Sequence, residues 1–172
     1  MKISSEWRRG MGMETAGNVK RRILSKDEML PIINAVTEAG GEFELVVTGV
    51  SMHPFLVDRR DRVYLAKCDT ETIRRGDILL YTRPDGSLIL HRVYKVRDNG
   101  RLDIVGDNQW QLERGVPKER VVARVTRCVR NGKQIICGKS FWDRLMRAWL
   151  YRIKMPGLFV FVYKCGKILL GK

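Results

Sequence analysis

Between Phe43 and Cys137 the sequence runs in short stretches that are apolar or alternate in character, and turn signals punctuate them. Phe43 to Val47, Arg62 to Lys67, Asp77 to Tyr81, Ser87 to Val96, Leu102 to Val105, Val121 to Val129 and Lys133 to Cys137 are the runs. Pro84-Asp85-Gly86, Asp98-Asn99-Gly100 and Asn131-Gly132 are the turns. Runs of this length with period two form strands, and turns this short join neighbouring strands into antiparallel hairpins. A mainly β domain is expected.

Ahead of it, Met29, Leu30, Ile33, Val36 and Ala39 recur at helical spacing, with Ser25 or Asp27 as start and Gly40-Gly41 as stop. Pro31 fits such a helix only within its first turn. Behind the strands, Phe141, Trp142, Leu145, Met146, Trp149, Leu150 and Ile153 fall on one helical face. Arg144, Arg147, Arg152 and Lys154 fall largely elsewhere, and Pro156-Gly157 is the stop. Such a basic amphipathic helix either covers the sheet or lies in a membrane interface.

Charge separates the same three regions. The 172 residues carry a formal +14, but 27–138 hold 18 Lys/Arg against 16 acids, while 1–26 hold seven against two and 139–172 eight against one. We expect a basic mobile arm over 1–25, a β domain with its leading helix over 26–138, and a basic amphipathic extension over 139–172. Basic ends point to an anionic membrane surface as partner, through the C-terminal helix, and nucleic acid ranks below it. Met1 to Arg9 lack the apolar core of a signal peptide. The apolar run Met155 to Tyr163 is far short of the ~20 residues of a membrane-spanning helix. A cytoplasmic or peripheral membrane location is the expectation. Cys68, Cys128, Cys137 and Cys165 form no CxxC pair, so neither a zinc site nor another cofactor is called for.

The chemistry centres on Thr48-Gly49-Val50-Ser51-Met52-His53-Pro54, where the first strand runs out into a turn. Ser51 is the candidate nucleophile, and a serine attacks a carbonyl only if a neighbouring base takes its proton. His53 lies too close in sequence to be a good base and is better suited to line a substrate groove. His91 comes from another strand and shares a face with Ile89 and Val93. Gly106-Asp107-Asn108 supplies a carboxylate beyond it. A plain reading of each residue in isolation is a capping serine, a core histidine and a turn aspartate.

Taken in order, Ser51-Met52-x-Pro54, Gly76-Asp77-Ile78-Leu79-Leu80-Tyr81, His91-Arg92-Val93 and Gly106-Asp107-Asn108 resemble the type I signal peptidases and their LexA-type repressor relatives, over roughly residues 43 to 128. A histidine in the base position is similar to the archaeal and endoplasmic-reticulum branch. The resemblance implies the signal peptidase/LexA-like antiparallel β-fold and a serine endopeptidase acting on a signal or leader peptide. It implies Ser51 as nucleophile, His91 as base, Asp107 as the group orienting His91, and Gly49, Thr48, Met52 and His53 around the oxyanion site and groove. Asp61 and Asp77 are read as structural, and Trp110 either shields the site or packs in the core, the core reading being favoured.

Mechanism favours histidine in this role. A lysine base must be depressed from about 10.4 by about 3 pKa units, roughly 4 kcal/mol of environment, whereas imidazole starts near ~6.5. The sequence departs from the family in two ways: Gly49 stands two residues before the expected nucleophile, where many signal peptidases carry a hydroxyl, and no apolar run in the 172 residues has the length of their transmembrane helix. Two other functions stay open. One is a self-cleaving regulator cutting at Ala16-Gly17 or Ala39-Gly40, and the other is a non-enzymatic module docking on lipid or nucleic acid.

Overall fold

The computed structural model describes residues 26–138, 141–155 and 157. The basic arm, the Ser25 cap and the apolar run after Gly157 lie outside the described residues. Helix α1 spans Lys26–Glu38 and ends as its glycines require. Gly40 takes a φ of 78°, which L side chains resist, and its N–H reaches Thr37 O while Gly41 N–H reaches Val36 O at 2.9 Å, capping the last carbonyls. Pro31 is the sixth residue of α1, past the first turn where it was expected. The helix bears the missing N–H because Met29 and Ile33, on either side of it, are buried in the core.

Eight antiparallel strands follow: β1 (Phe43–Val46), β2 (Arg62–Ala66), β3 (Ile78–Thr82), β4 (Leu88–Val96), β5 (Leu102–Val105), β6 (Glu113–Val116), β7 (Val121–Arg130) and β8 (Lys133–Ile136). Their order in the sheet is β1-β2-β7-β3-β4-β5-β6, with β8 paired to β7. All three turn signals close hairpins. Arg83 N–H reaches Ser87 O across Pro84-Asp85-Gly86, Arg97 N–H reaches Arg101 O across Asp98-Asn99-Gly100, and Asn131-Gly132 joins β7 to β8 with φ of 48° and 75°. β6 has no counterpart among the expected strands, because Glu113-Arg114-Gly115-Val116 shows no apolar alternation.

The sheet is buried on both faces over its centre. Leu80, Leu88, Leu90, Ala123 and Val125 pack with α1, β1 and the Ser51 turn, while Leu79, Tyr81, Ile89, Val93 and Ile104 pack on the other side. Burying one such side chain stabilises the fold by roughly 1.5–3 kcal/mol. Strands β3 and β4 therefore read as nearly continuous apolar runs, and His91 is carried into the second of these clusters.

Helix α2 (Phe141–Trp149) and the 3-10 turn η1 (Leu150–Ile153) close the described chain. Their orientation differs from a simple apolar-face-inward packing. Leu150 is fully buried, but so is Arg152, while Phe141 and Leu145 face solvent. Among the described residues no helix is long and apolar enough to cross a membrane.

Candidate active site

Ser51 stands half-buried in a loop that is tied down at both ends. Val47 N–H donates to Asp61 O and Arg59 N–H to Val47 O, which closes the loop at its base. Gly49, at a φ of 86°, donates its N–H to the Asp58 carboxylate at 2.7 Å, and Met52 and Leu56 anchor the far side in the core. Asp61 is fully buried and receives Arg60, Arg130 and the Val57 N–H, so it is structural as expected. His53 is exposed, and its peptide bond to Pro54 is cis.

Opposite this loop lies the 106–109 turn. Asn108 N–H donates to Ser51 O at 2.8 Å, which fixes the serine backbone against that turn. Gly106 is the point of closest approach. A Cβ built there would fall 2.6 Å from Ser51 O and 3.0 Å from His91 Nε2, so only glycine lets the serine backbone, the turn and the imidazole meet. Sequence marked these three residues separately, and the fold brings them to one spot.

Asp107 differs from its expected place. It is fully buried and is held in a two-pronged ion pair by Arg92, with Nε to Oδ1 at 2.8 Å and Nη2 to Oδ2 at 2.7 Å. Arg92 also donates Nη1 to Gly76 O at 2.9 Å. Both Asp107 oxygens therefore face the guanidinium, and the histidine finds another acid. His91 Nδ1 lies 3.5 Å from Glu113 Oε1 and 3.5 Å from the Tyr81 hydroxyl. Tyr81 also hydrogen-bonds Glu113, and Arg83 clamps the same carboxylate through Nε at 2.9 Å and through Nη2. The carboxylate nearest His91 Nδ1 is thus Glu113, with Arg83 and Tyr81 holding it.

The electrostatics follow from burial. His91 is 2% exposed, and its desolvation outweighs the attraction of Glu113 and Asp107, lowering its pKa from 6.5 to about 4. Glu113 is held below the ordinary range, because Arg83 and Tyr81 together overcome its own desolvation. Burial raises the Tyr81 phenol, and Glu113 raises it further, so it stays a donor. At neutral pH the site thus pairs a neutral imidazole with a carboxylate.

A stability prediction follows. Because the folded His91 resists a proton that the unfolded chain accepts, stability should be complete above about pH 6.5 and fall as pH drops toward 4, by roughly 3 kcal/mol. Lowered carboxylates such as Glu113 and Asp61 act further down the scale. Urea unfolding from pH 7 to 4.5 checks it, and His91→Gln should flatten that slope.

Thr48 Oγ1 is buried three residues ahead of Ser51 without a protein hydrogen-bond partner. Such a hydroxyl is costly unless something is to meet it. An open cleft of about 570 Å³ lies beside Glu113, lined by Arg83, Gln109, Trp110 and Gln111. Trp110, read from sequence as a core residue, is 54% exposed here. Asp77 receives the Arg74 N–H and stands near Arg124 and Arg147, a structural role.

The C-terminal segment fastens the same turn from behind. Trp149 Nε1 donates to Asp107 O at 2.9 Å while its ring packs edge-on against Phe55. Arg152 Nη2 donates to Gly106 O at 2.9 Å and also reaches Gln109 O. Comparison of the chain with protein-family models, with curated proteins and with solved structures finds no match. What the fold and site define is a mainly antiparallel β domain with a serine loop facing a buried histidine and its carboxylate.

Proposed function

We propose that this protein is a serine endopeptidase of the signal peptidase type, with the signal peptidase/LexA-like fold, cleaving an extended signal or leader peptide. The observation that carries the reading is that the Ser51 backbone carbonyl and His91 Nε2 both approach Gly106, at 2.6 Å and 3.0 Å from where a Cβ would stand, with Glu113 Oε1 3.5 Å from His91 Nδ1. In this reading His91 Nε2 takes the proton of Ser51 Oγ as that oxygen attacks the peptide carbonyl. Glu113 holds Nδ1–H and stabilises the imidazolium that forms. The Ser51 N–H receives the oxyanion, such a donor contributing about 3 kcal/mol when well aimed. His91 then protonates the leaving amine, and water enters by the same route to free the acyl group.

β1 is an end strand of the sheet and leads directly into the serine loop. An extended substrate laid along that edge would gain main-chain hydrogen bonds and present its carbonyl to Ser51. The family likeness implies small side chains before the cut. Self-cleavage at Ala39-Gly40 is disfavoured, since that bond lies within the cap of α1; Ala16-Gly17 lies outside the described residues.

Ser51→Ala should lower cleavage of signal-peptide-like substrates by at least about a thousandfold, followed by mass spectrometry, with the thermal transition unchanged. Wild-type rates from Ser51→Ala would overturn the assignment. A folded wild type that cuts nothing would move the reading to a binding module.

A further inference from the structure

The stretch from Phe141 to Met155 turns two arginines toward the domain, beside Trp149 and the buried Leu150. Arg147 lies across Gly76, where any Cβ would come within 2.7 Å of its Cγ, and donates to Arg75 O at 2.8 Å. Arg152 is 2% exposed against the 106–109 turn. Two of the four cations of this stretch are thus spent on carbonyls of the domain. The solvent side carries Phe141 at 67% exposure, Leu145 at 42%, Tyr151 at 50% and Met155 at 53%. Ala148, Arg144 and Lys154 are exposed as well. These positions recur every three or four residues, so they form one stripe along α2 and η1.

The charge on the stripe bears on what fits it. Its exposed cations are Arg144 and Lys154, and from Phe141 to Met155 the sequence holds a single acid, Asp143. The sequence then continues as Leu158-Phe159-Val160-Phe161-Val162-Tyr163, followed by Lys164, Lys167 and Lys172. Apolar side chains mixed with cations, with more of both adjoining in sequence, match a bilayer bearing anionic headgroups. A nucleic acid would use the cations and leave Phe141 and Leu145 in water.

We propose that α2 and η1 dock this stripe on an anionic lipid surface. Because their inner side is fastened to Asp107 O, Gly106 O and Gln109 O, the docked helix holds the Ser51–His91 centre against the bilayer. Trp110, exposed and stacked on Arg152 at 5.4 Å, adjoins the contact. This deepens the peptidase reading by naming the surface on which it would work, yet the lipid contact is measurable without catalysis.

The test is co-sedimentation of the full chain, carrying Ser51→Ala, with phosphatidylcholine vesicles with and without phosphatidylglycerol. Binding is expected only where phosphatidylglycerol is present. Phe141→Ser with Leu145→Ser should weaken it by about tenfold or more at unchanged melting temperature. Arg144→Glu with Lys154→Glu should also weaken it. The proposal is overturned if the chain does not partition, or if the apolar double variant partitions as well as its parent. It is equally overturned if sedimentation velocity shows a dimer that the same variant abolishes, or if polynucleotide competes the chain off vesicles and binds the double variant unchanged. Failure of the peptidase assay alone leaves the lipid result standing.

Discussion

Glu113→Gln is expected to lower kcat by about 10²–10⁴-fold, with KM little changed. The carboxylate sits 3.5 Å from His91 Nδ1, and under the proposed mechanism its negative charge is needed most when the imidazole carries the serine proton. An amide keeps the volume but removes the charge, and it presents a donor to a nitrogen that should itself donate. The loss corresponds to roughly 3–5 kcal/mol of transition-state stabilisation. A purely structural role is separated by the pH profile. Glu113 raises the His91 pKa against the lowering by burial, so its removal should move the acid limb of kcat/KM to lower pH as kcat falls. If Glu113→Gln keeps full kcat while Asp107→Asn loses it, the orienting acid is Asp107 after all.

Asp107→Asn should act on stability, costing about 3–5 kcal/mol and lowering the melting temperature by roughly 10 °C or more. Its side chain is 0% exposed and that of Arg92 1% exposed, so the substitution strands a buried guanidinium. Circular dichroism during thermal and urea unfolding gives the number, and a loss below about 1 kcal/mol would refute the structural role. Replacing the pair together, as Arg92→Met with Asp107→Leu, should cost less than stranding Arg92 alone, since no unpaired charge remains. Glu113 and Asp107 are thereby distinguished by two different instruments.

Sequence puts His91 on a strand face with Ile89 and Val93 and points to Asp107 as its acid, whereas Glu113 is the carboxylate nearest Nδ1. Strand periodicity is local, so Ile89, His91 and Val93 announce their shared face, and the turns between Arg83 and Ser87 or around Asn131 announce theirs. The choice between Asp107 and Glu113 depends on how three strands are registered. β6 pairs with β5 across an irregularity between Leu102 and Ile104, and no pattern within Glu113-Arg114-Gly115-Val116 foretells that shift. Arg92, beside His91 in the chain, points to the opposite face, and it is Arg92 that claims Asp107. The one usable signal was the alternation itself, which puts neighbours of a strand on opposite sides. Orientation of α2 escaped for another reason. Amphipathicity predicts which face is apolar, and it is silent about a domain that offers carbonyl oxygens to arginines instead of an apolar groove.

The sharing of β3 and β4 between the two packed clusters bears on how the molecule opens. Leu80 and Leu90 serve one cluster, and Leu79, Tyr81 and Ile89 serve the other, so neither can come apart without disturbing the strand pair they have in common. Amides there should be the last to exchange with solvent, while loops tied by single hydrogen bonds open first. Under the peptidase reading the base thus sits on the strand pair most resistant to opening. His91 belongs to this slowest-opening segment, and the Ser51 loop is held at its base by the Val47 and Arg59 hydrogen bonds and in the core by Met52 and Leu56.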